Sequence, residues 1–162
     1  MTGGMPIGSP WWQSLLAGPL GLGLDLGLLL LRVGFSVLMM IHGWSKWQNY
    51  DAILQKGFLD PFGMGQANAL ATAMVNETIF AGLVAIGFLT RLSAIPLIVT
   101  MVVAAFVAHA NDPIVSTGGP SKELALLYLL MFVTIFLTGP GRFSLDGLVA
   151  GTSTASASMG KG

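Results

Sequence analysis

The sequence predicts an all-α fold, a bundle of four transmembrane helices with a long outer loop between helices 1 and 2. Three observations carry that expectation. Hydrophobic residues make up 54% of the 162-residue chain and charged ones 9%, too little polar surface to clothe a domain in water. Uncharged runs recur at about the 20 residues that one helical crossing of a bilayer needs. Apolar and polar residues do not alternate along these runs, which argues against the short strands of a transmembrane barrel.

The same counts exclude whole classes of function. Seven Lys/Arg balance seven Asp/Glu, so there is no basic stripe to hold a nucleic-acid backbone. With no cysteine there are no disulfides, thiolate metal sites, iron–sulfur clusters or thiol exchange.

Taken in order, residues 1–21 carry no charge and lack the basic leader of a secretory signal. Trp11, Trp12, Leu15 and Leu16 suggest a short helix lying in the membrane interface. The first span is expected over Leu26 to Lys46, interrupted by Arg32 and ended by His42. The connector Gly43 to Ala67 mixes Trp44, Trp47, Tyr50, Phe58 and Phe62 with Lys46, Asp51, Lys56 and Asp60, the composition of an interfacial cap. It is the longest loop, and loops of that length are commonly functional. The second span is expected over Asn68 to Thr90 and carries Glu77. The third and fourth fall in the uncharged runs 92–111 and 124–141. Small residues inside the spans (Gly27, Gly34, Ala81, Gly82, Ala85, Ala104, Ala105, Ala108) let backbones approach where lipid supplies no hydrophobic drive between helices. Residues 22–147 thus form one membrane domain. The polar tail 148–162 has no periodicity and is expected to be held by a partner subunit or a second copy.

An even number of spans puts both termini on one side. Arg91, Arg142 and Lys161 lie there, with Arg32 leaning toward it, while Lys46, Lys56 and Lys122 lie opposite; the positive-inside rule then places the termini in the cytoplasm. Measured from that end at about 1.5 Å per residue, His42, Glu77, His109 and Glu123 all fall ~20–25 Å along their helices. Each span contributes one titratable group at a common height, and Lys46 sits one turn above His42. Ionised groups are costly in hydrocarbon, about 2.5 kcal/mol or more each, and normally face the bundle interior or a wet cavity. A polar pocket lined by His42, Lys46, Glu77, His109 and Glu123 is therefore expected, with Arg32 reaching Glu77 from below as a structural ion pair or pairing with Asp25.

Simpler explanations exist for each residue. Snorkelling to headgroups accounts for any one of His42, His109 and Glu123, and an Arg32–Glu77 pair could serve only to fix helix register. Two His and two carboxylates suit zinc or iron, but the Glu-x-x-His pairs of bundle di-iron sites are missing, so no metal is assigned. Met39, Met40 and Met101 are core filler before they are copper ligands.

HGWSK at 42–46, ETIFAGLVAIGFLTRLSA at 77–94, a helix closing on His109, Glu123 opening the last span and GPGRFSLD at 139–146 together resemble the DoxX family of small bacterial and archaeal four-helix membrane proteins. The likeness covers residues 26–147. Ala81 and Gly82 stand where many relatives have two glycines. The resemblance implies a multi-pass protein of a bacterial or archaeal cell membrane, related to the membrane subunit of thiosulfate:quinone oxidoreductase. It is also similar in fold to disulfide-generating quinone reductases, whose activity does not carry over to a chain without cysteine.

A quinone site needs an apolar slot for the tail and polar groups to bind and protonate the head, and His beside a carboxylate supplies the latter. The chain shows no resident redox centre, so electrons would come from a partner. The expected function is thus the quinone-side, or lipid-soluble-substrate-binding, membrane subunit of an oxidoreductase complex. The alternatives are a non-catalytic assembly subunit of a larger membrane complex and a small-solute carrier.

Overall fold

The computed structural model describes residues 20–116 and 118–149, with side chains from Gly23 onward. The expected interfacial segment and nearly all of the polar tail lie outside the described residues. Among those described there are helices and no strand: α1 (Leu20–Gln48), α2 (Tyr50–Lys56), α3 (Gln66–Ile86), α4 (Thr90–Ala108) and α5 (Glu123–Thr138). Of these, α1, α3 and α4 are long and apolar enough to cross a membrane, while α5 is apolar over 16 residues. The connector expected as a long loop forming an interfacial cap contains a helix of its own, α2.

The core runs along the middle of the bundle. Met39 of α1, Ala81 and Val84 of α3, Ala94, Leu97 and Met101 of α4, and Tyr128, Met131, Phe132 and Ile135 of α5 form one buried cluster. Alanines at Ala81, Ala94 and Ala105 are fully buried, where their small size lets the helix axes close together. Large apolar side chains such as Leu30, Ile79, Leu92, Leu130 and Leu137 point outward, as they do in a protein solvated by acyl chains.

Two of the long helices are not regular. Within α3, Asn76–Phe80 forms a π-turn, and Ala104–Ala108 closes α4 with another, His109 N–H donating to Ala104 O at 3.0 Å. Each π-turn adds one residue to a turn and so rotates the residues beyond it by roughly 100° relative to a regular 3.6-residue helix. The first lies near the middle of α3 and the second at the end of the bundle that carries the long loop, here called the loop face.

The opposite end, the turn face, is closed by backbone chemistry. Gly87 ends α3 in the left-handed region (φ 74°), with Gly87 N–H on Val84 O and Phe88 N–H on Leu83 O, the paired bonds of a Schellman stop. Leu89 also has positive φ (46°), and α4 starts at once. The Leu89 N–H, Thr90 N–H and Thr90 hydroxyl all donate to the Asp146 carboxylate at 2.8–2.9 Å. A residue 56 positions away thereby caps the start of α4, satisfying donors that a helix cannot satisfy itself.

Arg32 completes this clasp, which corrects one expectation. It is 2% exposed, and its guanidinium donates to Pro140 O and Phe143 O, each at 2.6 Å. It pairs with neither Glu77 nor Asp25. Asp25 instead accepts from the Arg142 N–H at 3.2 Å. The GPG turn, with Gly139 and Gly141 both at positive φ, delivers carbonyls to Arg32, and a peptide carbonyl in a tight turn competes for a buried guanidinium as well as a distant carboxylate does.

Candidate binding site at the loop face

The Lys46 ammonium donates to Glu77 Oε1, and this ion pair joins α1 to the π-turn of α3. Glu77 is 3% exposed, whereas the Lys46 side chain is 29% exposed. The other carboxylate oxygen, Glu77 Oε2, is buried without any hydrogen-bond partner. Such an atom carries an uncompensated desolvation cost, and in a native protein it calls for an explanation.

Glu77 borders an apolar chamber of about 310 Å³. Its walls come from α3 (Ala69, Thr72, Ala73) and α4 (Val99, Val103, Ala104), and its roof from Phe58, Leu59, Pro61, Phe62 and Met64 of the long loop. Asp60 shapes that roof, accepting from the Met64 and Gly65 N–H groups at 3.0 and 2.7 Å. The polar residues of its lining are Lys46, Thr72, Asn76, Glu77, Thr100 and His109. A second cavity of about 340 Å³ lies on the other side of the ion pair, lined by His42, Tyr128, Met39, Met101 and Ser121 among others. Lys46, Glu77, Ala104 and His109 border both spaces, so they form the wall between them.

Of the residues singled out from sequence, Lys46, Glu77 and His109 are brought together. His42 lies on the second cavity alone, its ring edge-on to Tyr128 at 5.9 Å. Glu123 departs from the expected layer. It is exposed at the start of α5, borders neither cavity and accepts from the Ser116 N–H at 3.3 Å. A helix-end carboxylate can turn to the loop outside it, and nothing inside the bundle offers Glu123 a cation.

Three participants were not foreseen. Asp112 holds His109 Nδ1 at 2.7 Å; spacing at i, i+3 was a signal, but it falls past the helix end. Tyr128 packs among Phe35, His42 and Phe132, and in sequence it is one aromatic in an apolar run. Asn76 reaches Thr100 at 2.9 Å, linking α3 to α4 at the chamber. Among the described residues no cluster of three or more His, Cys, Asp or Glu is arranged to hold a metal.

Fold and site define a small helical membrane protein whose loop face encloses an apolar chamber beside a buried ion pair. The chain belongs to the DoxX family: residues 27–110 match it. It is 33% identical over 132 residues to an uncharacterized protein of Haemophilus influenzae, covering 80% of this chain and 87% of that one. It is also 29% identical over 125 residues to a Bacillus subtilis protein that bears the name "Putative oxidoreductase CatD", covering 77% and 88%. No solved structure matches.

Proposed function

We propose that this DoxX protein is the membrane subunit of an oxidoreductase complex, and that it binds the head of a quinone-type, lipid-soluble substrate in the loop-face chamber. The observation that carries this reading is Glu77 Oε2, a buried acceptor without a partner at the edge of an apolar space of about 310 Å³, the size range of small-ligand pockets. Lys46 and His109 supply the remaining polar contacts, and Glu77 relays protons. The name of the Bacillus subtilis relative points the same way. Electrons come from a partner subunit, for which this chain holds the lipid-soluble substrate.

In this reading α5 is a fourth span. Its 16 residues rise about 24 Å, and the flanking segments cover the rest of the hydrocarbon core. The turn face, where Arg91 and Arg142 are exposed, lies in the cytoplasm, since at the other face Lys46 is tied to Glu77 and Lys122 donates to Ala110 O, which leaves Lys56 as the exposed cation there.

Extraction of the purified protein and mass analysis of its lipid-soluble content tests the proposal, together with titration by a short-tailed quinone. Quinone-type ligand should be recovered or bound at about one per chain, and Phe62→Ala with His109→Ala should weaken binding at least tenfold. Absence of binding in either redox form sinks it. The assembly-subunit reading has one observation in its favour, that the Lys46–Glu77 pair itself links α1 to α3; in that case Glu77→Gln disrupts complex formation and no ligand binding is found.

A further inference from the structure

The hydrogen-bonding capacity left over in the chamber is unequal, and the inequality bears on which redox form it holds. Asn76 Nδ2 donates to Thr100 Oγ1 at 2.9 Å, and the Thr100 hydroxyl is itself spent on Pro96 O at 2.8 Å. The Thr72 hydroxyl is spent on Asn68 O, also at 2.8 Å. Neither hydroxyl has a proton left for an occupant. Asn76 keeps one N–H and its carbonyl, a balanced contribution.

The decisive atoms are acceptors. Glu77 Oε2 is sealed from solvent and has no donor. His109 is held through Nδ1 by Asp112 at 2.7 Å; because a carboxylate only accepts, Nδ1 carries a proton in either form of the ring, and in the neutral form Nε2 presents a lone pair. Lys46 keeps free N–H groups, but at 29% exposure of its side chain water can serve them. An occupant that brings hydroxyl donors therefore satisfies Glu77 Oε2, once the carboxylate turns toward the chamber, and the lone pair of a neutral His109. An occupant that brings only carbonyl oxygens leaves the first of these unpaired and sets oxygen lone pairs against the second.

We infer that the chamber is selective for a neutral hydroquinone-type ring, a dihydroxy-aromatic donor, over the corresponding quinone. Neutrality follows from the surroundings: Lys46 and Glu77 cancel, and the remaining walls, including Phe58, Phe62, Val99 and Val103, are apolar. The inference rests on the ligand-binding reading above and adds the redox state of the bound form. Asp112 is a positioning residue in this scheme, acting only through His109.

The test is equilibrium titration of the full-length protein in nanodiscs, without oxygen, using one short-tailed benzoquinone and its hydroquinone. The hydroquinone should bind at least about tenfold tighter, a hydrogen-bond-sized difference of about 1.4 kcal/mol. Glu77→Gln, which replaces an acceptor-only group by an amide, and Asp112→Asn, which frees the His109 tautomer, should each bring the ratio to within about threefold. The wild-type ratio alone decides the matter if a variant fails to fold. Equal affinities or tighter quinone overturn the inference and leave the ligand reading standing; a preference that survives both substitutions in folded protein overturns it as well. Failure of both forms to bind overturns the ligand reading and this inference together.

Discussion

Gly43 of α1 lies against Glu77 of α3 so closely that a Cβ on it would stand 2.9 Å from Glu77 Cβ and 2.7 Å from Thr78 Cγ2. No real Cβ tolerates such contacts. The absence of a side chain at Gly43 is what brings α1 to the π-turn of α3 and sets Lys46, three residues on, over the Glu77 carboxylate.

Gly43→Ala is accordingly expected to force the two helices apart and to destabilise the fold by about 1–3 kcal/mol, the usual scale of overpacking. Thermal unfolding in detergent measures the loss. Gly34→Ala, on the same helix but with open space around its Cβ, should leave the melting temperature unchanged or raised, since alanine is the better helix former. An equal effect at both positions would show that the close approach at Gly43 does not matter.

Breaking the ion pair from one side should be worse than removing it altogether. Lys46→Met leaves the Glu77 carboxylate buried with no cation and is expected to cost about 3–5 kcal/mol, while Lys46→Met combined with Glu77→Leu should recover much of that stability. The double variant should still have lost ligand binding. Denaturant unfolding paired with titration separates the two effects.

On the turn face, Arg32→Lys is not conservative. A single ammonium cannot span Pro140 O and Phe143 O as the guanidinium fork does, and an abandoned buried carbonyl costs about 1–3 kcal/mol. The expected result is a lower melting temperature with ligand affinity unchanged, because the clasp and the chamber lie at opposite ends of the bundle. Protease sensitivity after residue 139 should rise in parallel.

Asp146 makes that clasp sensitive to acid. Desolvation pushes its carboxyl up, but the Thr90 backbone and hydroxyl bonds, the Leu89 N–H and the Arg32 charge together outweigh it and hold the group below the ordinary carboxylate range. A group whose pKa is depressed on folding stabilises the protein above its unfolded value, about 3.9, and that stability is lost as the pH falls through the folded value. Wild type and Asp146→Asn should therefore differ most near neutral pH and converge in acid below about pH 4. A constant gap from neutral pH down to about pH 3 would contradict the assignment.

Because the chain has no cysteine, single cysteines report topology without background. Arg142→Cys and Lys56→Cys, both at exposed positions, should react with an impermeant maleimide from opposite sides of the membrane. Labelling of Lys56→Cys alone in intact cells agrees with cytoplasmic termini; the reverse pattern inverts the proposed orientation.

Composition and charge spacing alone determine that this is a helical membrane protein, because hydrocarbon admits so few ions and demands a closed backbone. The spacing of charges along the chain also marks which helices carry Lys46, Glu77 and His109, since a bilayer crossing makes height nearly proportional to residue number. Height does not give azimuth. The π-turns at Asn76–Phe80 and Ala104–Ala108 shift the register that a 3.6-residue period assumes, and the side chains facing a helix depend on contacts from chain segments far away. Tertiary structure therefore decided that Glu77 meets Lys46 rather than Arg32, that Arg32 closes on the carbonyls of Pro140 and Phe143, and that Glu123 turns outward. Asp112 and Gly43 gained their roles in the same way, the first from a turn past a helix end and the second from a neighbouring helix that has no mark in the local sequence.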